Sequence, residues 1–231
     1  MKYRLLSFCM AVLLLISMIS VPRIEAANST ETFKDSADTK IVKLLEALGL
    51  MEIDSETGFF WDEMPVKRSE LAKIICKMFN ISETKDASPH FTDVSDYDRA
   101  YIETAIRNGY MSGYDNEKFG PDDYVTNIQL IKTFVTALGG DAAAQSQGGY
   151  PGGYITIGNM LGLLKGKAVA NENISRRIDV ANIIYTALHA DVLEIAGSVG
   201  NNINYKTVEG YTFLTEKRNI YRVKGIISQN E

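Results

Sequence analysis

Arg68 and Arg177 each open a stretch whose apolar residues recur at helical spacing, "RSELAKIICKM" and "RIDVANIIYTAL"; in the first, Leu71, Ile74, Ile75 and Met78 fall at i, i+3, i+4 and i+7. Each arginine is thereby expected on the first turn of a helix. Unpaired N–H groups and the positive end of the helix dipole suit a carboxylate there. A guanidinium adds a planar, bidentate donor to that anion site. Trp61, Tyr110 and Tyr114 lie in or beside the loops upstream, and their flat apolar faces suit a sugar ring. The plainer reading has both arginines solvated on a first turn and Trp61 plugging a loop. From these residues alone, both readings stand.

Other chemistry has little material. His90 and His189 are the two histidines, one in a loop and one late in a helical pattern, too few for a metal cluster or a Ser-His-Asp triad. Asp115, Glu117, Asp122 and Asp123 depart from EF-hand spacing, with Phe119 where a ligand belongs, and read as turn residues. Asp62 and Glu63 are adjacent loop acids of the kind that is ordinarily solvated. No Gly-rich phosphate loop follows a strand. The expectation is a chain without catalytic residues, metal or cofactor.

Behind Lys2 and Arg4, the apolar run "LLSFCMAVLLLISMISV" ends before small residues at Ala26 and Ala27, the pattern of a secretory signal peptide over 1–26. Its roughly 17 residues are short for a membrane anchor. Cleavage after Ala26 leaves 205 residues, with Cys76 the one cysteine, so an internal disulfide is not expected. In "SELAKIICKMF", Cys76 reads as a small packed side chain. The shortened chain has 21 basic and 28 acidic residues, a net charge of −7 that argues against nucleic acid. It leaves room for a local pocket holding a carbohydrate or small anion.

The elements that must position these residues repeat. "GFFWDEMPVKRSELAKII" aligns with "EKFGPDDYVTNIQLIKTF" at an offset of 59, matching Phe60 to Phe119, Val66 to Val125, Leu71 to Leu130 and Lys73 to Lys132. "NGYMSG" pairs with "LGLLKG" at an offset of 53, placing Gly109–Gly113 on Gly162–Gly166. "RRIDVANIIYTAL" matches "TNIQLIKTFVTAL" at 50, so the third loop is three residues shorter. Each copy reads helix, loop, helix. Ser95 with Asp98 and Thr126 with Gln129 resemble capping boxes, and Gly109 marks a helix end. Two amphipathic helices cannot close a core alone, and Phe60 and Phe119 are expected as buried pins between the two helices of their copies.

The middle copy, "FTDV" then "YIETAIRNGYMSGYDNEKFGPDDYVT" and a second capped helix, resembles the S-layer homology (SLH) domain. That pattern runs from F-x-D-V through G-Y-x-x-x-x-F-x-P to V-T-R-A-E, and "NIQ" replaces the closing R-A-E here. The outer copies, with "VKRSEL" and "SRRIDV", are degenerate and lack a clear F-x-D-V. The resemblance covers 38–190, divided 38–80, 91–139 and 150–190. It implies a mainly α fold in which three helix-loop-helix repeats form a pseudo-threefold bundle with a groove between neighbours. It also implies an exported protein on the surface of a Gram-positive-type cell wall, held noncovalently to a secondary cell-wall polysaccharide, often through a pyruvate ketal. Carried over by position, its ligand residues are Arg68 and Arg177 with Lys67, Arg176, Trp61 and Tyr114, whereas Asn127 leaves the middle copy without the arginine.

"GGDAAAQSQGGYPGG" and "IAGSVGNNIN" read as breaks, and 203–231 as the start of a short β-rich extension, truncated at Glu231. Two alternatives accompany the anchor: a self-assembly or protein-interaction module of a surface layer, and the targeting part of a longer exported enzyme.

Overall fold

The computed structural model describes residues 38–81, 91–164, 171–199 and 202–218. The expected signal peptide, His90 and the tail after Arg218 lie outside them. Eight helices and one hairpin follow in order: α1 Thr39–Ala47, α2 Arg68–Met78, α3 Asp96–Arg107, α4 Asn127–Ala137, α5 Asp141–Ser146, α6 Gly152–Met160, α7 Arg177–His189, β1 Asp191–Val199, β2 Asn202–Thr212 and α8 Phe213–Arg218. The fold is mainly α.

Local signals set most helix ends. The Ser95 hydroxyl accepts from Asp98 N (3.2 Å), and Thr126 and Gln129 form a reciprocal capping box. Gly49, Gly109 and Gly162 end α1, α3 and α6 at equivalent points with φ of 66°, 73° and 75°, a left-handed turn that a β-carbon disfavours. The residue after each closes the same bond, Leu50 N to Leu45 O, Tyr110 N to Ala105 O and Leu163 N to Gly158 O. Three copies of one turn are therefore present, although the rest of the third loop, 165–170, lies outside the described residues.

The copies close on one another. The second helix of each copy packs on the first helix of the next: α2 on α3, α4 on α6 and α7 on α1. At the centre Val125 N donates to Val66 O (3.0 Å), Ser175 N to Val125 O (2.8 Å) and Val66 N to Ser175 O (3.1 Å). This cycle satisfies three buried peptide groups and makes the arrangement a pseudo-threefold bundle. Leu45, Leu71, Ile75, Ile102, Leu130 and Phe134 fill the core between the helices. Cys76 is buried, with its thiol donating to Tyr101 O on α3.

Phe60 and Phe119 are fully buried, as expected, but the partners differ from the expectation. Arg177 of the third copy lies over the Phe60 ring (4.7 Å) and Arg68 of the first copy over the Phe119 ring (4.5 Å). The phenylalanines pin neighbouring copies together as well as their own.

Two regions correct the sequence expectation. The Gly-rich stretch after α4 contains α5, which forms because Ala143 and Ala144 are buried and Gly140 fits where a β-carbon would meet Val135 and Ile157. The stretch expected as the break that ends the helical part, 195–204, contributes its described residues 195–199 and 202–204 to an antiparallel hairpin with register shifts at Asp191/Val192 and Ile195/Gly197. The hairpin thus begins before the expected β-rich segment, of whose described residues 203–212 are strand. Phe213 then turns into α8 and meets Phe79 edge-on (4.6 Å).

Candidate functional site

The same N–H groups that could have bound an anion are used to join the copies. Arg68 N and Ser69 N donate to Asp123 O and Pro121 O, Asn127 N and Ile128 N to Asn173 O and Asn171 O, and Arg177 N and Ile178 N to Met64 O and Asp62 O. The expectation of an anion on a bare helix N-terminus is corrected by these bonds: a neighbouring loop supplies the acceptors.

Side chains at the first helical position follow the same rule. Arg68 donates through Nε to Phe119 O (3.0 Å) and through Nη2 to Ser112 O (2.7 Å). Arg177 donates through Nε to Phe60 O (2.8 Å) and through Nη2 to Glu52 O (2.8 Å). Asn127, the uncharged member, donates to Asn171 Oδ1 (2.9 Å) and accepts from Ser175 Oγ (2.8 Å). Each side chain latches its helix onto the loop of the next copy.

The charge around the latches differs. Arg177 makes an ion pair with Glu70 Oε1 at 2.7 Å. Arg68 makes no ion pair among the described residues; burial pulls its guanidinium below the usual arginine range, with Tyr114, Asp123 and Asp93 opposing. Gln129 stands in α4 where Glu70 stands in α2.

Each arginine borders a groove. Between copies one and two, a cavity of about 280 Å³ is lined by Arg68, Tyr110, Tyr114, Gln129, Lys132 and Tyr150. Tyr114 and Tyr150 are 57% and 49% exposed, Tyr114 with the Arg68 guanidinium over its ring (4.7 Å), and Lys132 makes no ion pair among the described residues. Between copies three and one, a cavity of about 430 Å³ is lined by Glu52, Trp61, Glu70, Lys73, Lys77 and Arg177. There Lys77 pairs with Glu52 (3.4 Å) as Arg177 pairs with Glu70. Trp61 is 41% exposed and holds φ at 62°, where the equivalent Gly120 has 74°. A tryptophan in that region stores strain of order 1 kcal/mol. A larger cavity of about 650 Å³, beside Phe91, Glu103 and Met111, contains neither first-turn arginine.

Lys67 and Arg176 lie apart from both cavities. Lys67 pairs with Asp122 (2.7 Å), and Arg176 with Glu63 (2.9 Å), on exposed ground around the central cycle, and Arg176 also with the half-buried Asp179 (2.8 Å). Sequence reasoning singled out neither Lys132 nor Tyr150 as a site residue. The Lys73–Lys132 match was visible, but it was informative only about the repeat until the groove was assembled.

Asp93, the acid of "FTDV", holds the loop that Arg68 grips. Its carboxylate accepts from Phe119 N (3.1 Å) and Gly120 N (2.9 Å). Burial alone would raise its pKa, but these two N–H groups, helped by Lys118, outweigh it and hold Asp93 below the usual carboxylate value.

Residues 90–130 match the S-layer homology domain. The match covers one segment of the chain. Over 175 residues, 74% of the chain, it is 26% identical to the middle cell wall protein of Brevibacillus brevis. Over 181 residues, 75% of the chain, it is 26% identical to a surface layer protein of Brevibacillus choshinensis. The chain spans 16% of the length of each of these relatives. The matched SLH segment includes Asp93, the Gly109 turn, Tyr114, Phe119 and Gln129, and so contributes one wall of the groove that Arg68 completes from the copy before it.

Proposed function

We propose that this chain is a cell-surface anchoring module that binds an acidic secondary cell-wall polysaccharide in the groove between copies one and two. One observation carries the proposal: in a chain of formal net charge −5, Arg68 and Lys132 face one groove without ion-pair partners among the described residues, between the exposed rings of Tyr114 and Tyr150. Aromatic faces suit the apolar side of a sugar ring, and two cations suit a carboxylate such as a pyruvate ketal. The SLH match and the names of the two relatives support the location.

Arg68 cannot test the site cleanly, because its guanidinium also holds two backbone carbonyls. Lys132→Ala and Tyr150→Ala leave that latch intact, whereas Tyr114 is stacked against the Arg68 guanidinium. Sedimentation with purified wall sacculi is expected to retain the parent chain, to lose it when the polysaccharide is chemically stripped, and to retain either variant about tenfold more weakly. Loss of a charge-assisted contact typically costs about 1.5 to 3 kcal/mol. Equal retention on stripped and intact sacculi would reject the reading and favour contacts between protein chains.

A further inference from the structure

We propose that the cavity of about 650 Å³ beside α3 is a second saccharide site, in which Glu103 accepts hydrogen bonds from two neighbouring hydroxyls of a neutral sugar residue. The site stands on the cavity and its carboxylate; that the sugar belongs to a wall polysaccharide rests on the anchoring reading above.

Glu103 lines this cavity and is 7% exposed. Neither of its carboxylate oxygens has a hydrogen-bond partner among the described residues, although Oε1 lies 3.8 Å from Arg99 Nη1. A buried carboxylate without donors is costly, and in folded proteins such groups are ordinarily hydrogen-bonded. Burial at this point is not a demand of the repeat. Offsets of 60 and 53 place Lys43 and Thr156 at the same point of α1 and α6, and both are exposed. The acid and its burial belong to the middle copy.

The surroundings select the ligand. Arg99, held by Asp96 and the Val94 carbonyl, and Arg107, which lines the cavity, already set positive charge near the carboxylate. What the two oxygens lack is donors rather than charge, which favours hydroxyls over an ammonium group. Asp115, the other acid of the lining, is turned to its own loop, where it accepts from Glu117 N and Lys118 N (both 2.7 Å), so a metal ion finds one carboxylate to bind. Two vicinal hydroxyls of a pyranose match the two oxygens of Glu103, and the apolar side of the ring can rest on Phe91, Ile106 and Met111. The volume lies within the range of small-molecule sites, roughly 300 to 1,000 Å³.

Position supplies the source of the sugar. Met111, Ser112 and Gly113 line this cavity and also the Arg68 groove, so one short segment forms a wall of both. A polysaccharide whose acidic residue sits at Arg68 has the second cavity across that wall, within reach of a neutral residue of the same polymer.

The test is titration of the full chain with the methyl glycosides of glucose, mannose and galactose, read by calorimetry and by the NMR shifts of the Gly109, Met111 and Gly113 amides. The variants are Glu103→Gln, which keeps the shape, Glu103→Thr, which installs the residue of copy three, and Lys132→Ala in the other groove, with circular dichroism confirming each fold. At least one hexoside is expected to bind the parent and shift these amides, about tenfold more weakly in both Glu103 variants and unchanged in Lys132→Ala. Removing one of the two hydroxyls from that hexoside should weaken binding to the parent by a similar factor, a readout that needs no variant to fold. Binding of none of the three, or binding that survives both Glu103 variants, overturns the site. Binding of the methyl glycoside of glucosamine in place of the neutral sugars overturns the hydroxyl assignment. Either result leaves the anchoring role standing if intact sacculi still retain the parent. Hexoside binding that depends on Glu103 in a chain that sacculi do not retain supports the site and overturns the anchor.

Discussion

The groove between copies one and two and the groove between copies three and one are built from the same parts and end with different charge. In both, an arginine crosses from one copy to the next, covers a buried phenylalanine and bonds two carbonyls of the neighbouring loop. In the first the arginine is buried at 6% exposure and paired with no acid among the described residues; in the second it is ion-paired to Glu70. The difference shows that a conserved geometry within one molecule can serve two purposes. The latch is a requirement of closure, since each copy's helices pack mainly on its neighbours. The binding charge is what remains after the latch and its counter-ions are accounted for.

The largest effect is expected where the two grooves are alike. Phe60→Ala and Phe119→Ala each empty a fully buried site under an arginine and should destabilise the bundle by about 3 to 5 kcal/mol in urea unfolding. Near-equal losses confirm that the two junctions are structurally equivalent. A loss confined to one variant would break the symmetry on which the comparison rests.

Removing the latches should separate the grooves. Arg68→Met leaves the carbonyls of Phe119 and Ser112 without their donor in a buried setting and should cost about 3 kcal/mol. Arg177→Met loses equivalent bonds and also frees Glu70, which is partly exposed and can take water, so about 2 kcal/mol is expected. Equal unfolding midpoints for the two variants would show that the difference in burial has no energetic weight.

Asn127→Ala is the control at the uncharged junction. It removes two side-chain hydrogen bonds, to Asn171 and Ser175, for about 1 kcal/mol, and should leave retention on sacculi unchanged. A loss of retention there would move the site to the third junction.

The smallest effect concerns acid. Asp93 has a pKa lowered by two loop N–H groups, so its contribution is fully present above the unfolded carboxylate pKa, near 4, and is lost as pH falls through the lower folded value. Asp93→Asn should flatten the acid limb of the stability profile and leave the profile near pH 7 parallel to the parent. Asp93 holds the loop under Arg68, so the variant should also weaken the Arg68 groove before the Arg177 groove. An unchanged acid limb would mean that Asp93 does not couple the loop to pH.

Much of the fold was legible in short stretches. The 3.6-residue periodicity of "SELAKIICKM", the Thr126–Gln129 box and the glycines at 49, 109 and 162 act over a few residues, and the structure realises each locally. The offset of 59 predicted that Phe60 and Phe119 are equivalent, because repetition is itself a sequence property. Legibility failed where a segment's conformation depended on what covered it. The Ala-rich α5 exists because Ala143 and Ala144 find a buried surface, and the hairpin because β1 and β2 find each other.

By itself the sequence determined the helix pairs, their caps, their repetition and the two arginines at matched positions, since all of these follow from contacts within a turn or from self-similarity along the chain. The tertiary structure decided that the helix N-termini are occupied by neighbouring loops, that Arg68 meets Tyr114 and Phe119, and that Arg177 meets Glu70 from 107 residues away. Charge compensation is a matter of distances of a few ångströms, and in a closed ring of repeats those distances join residues that no local pattern places together.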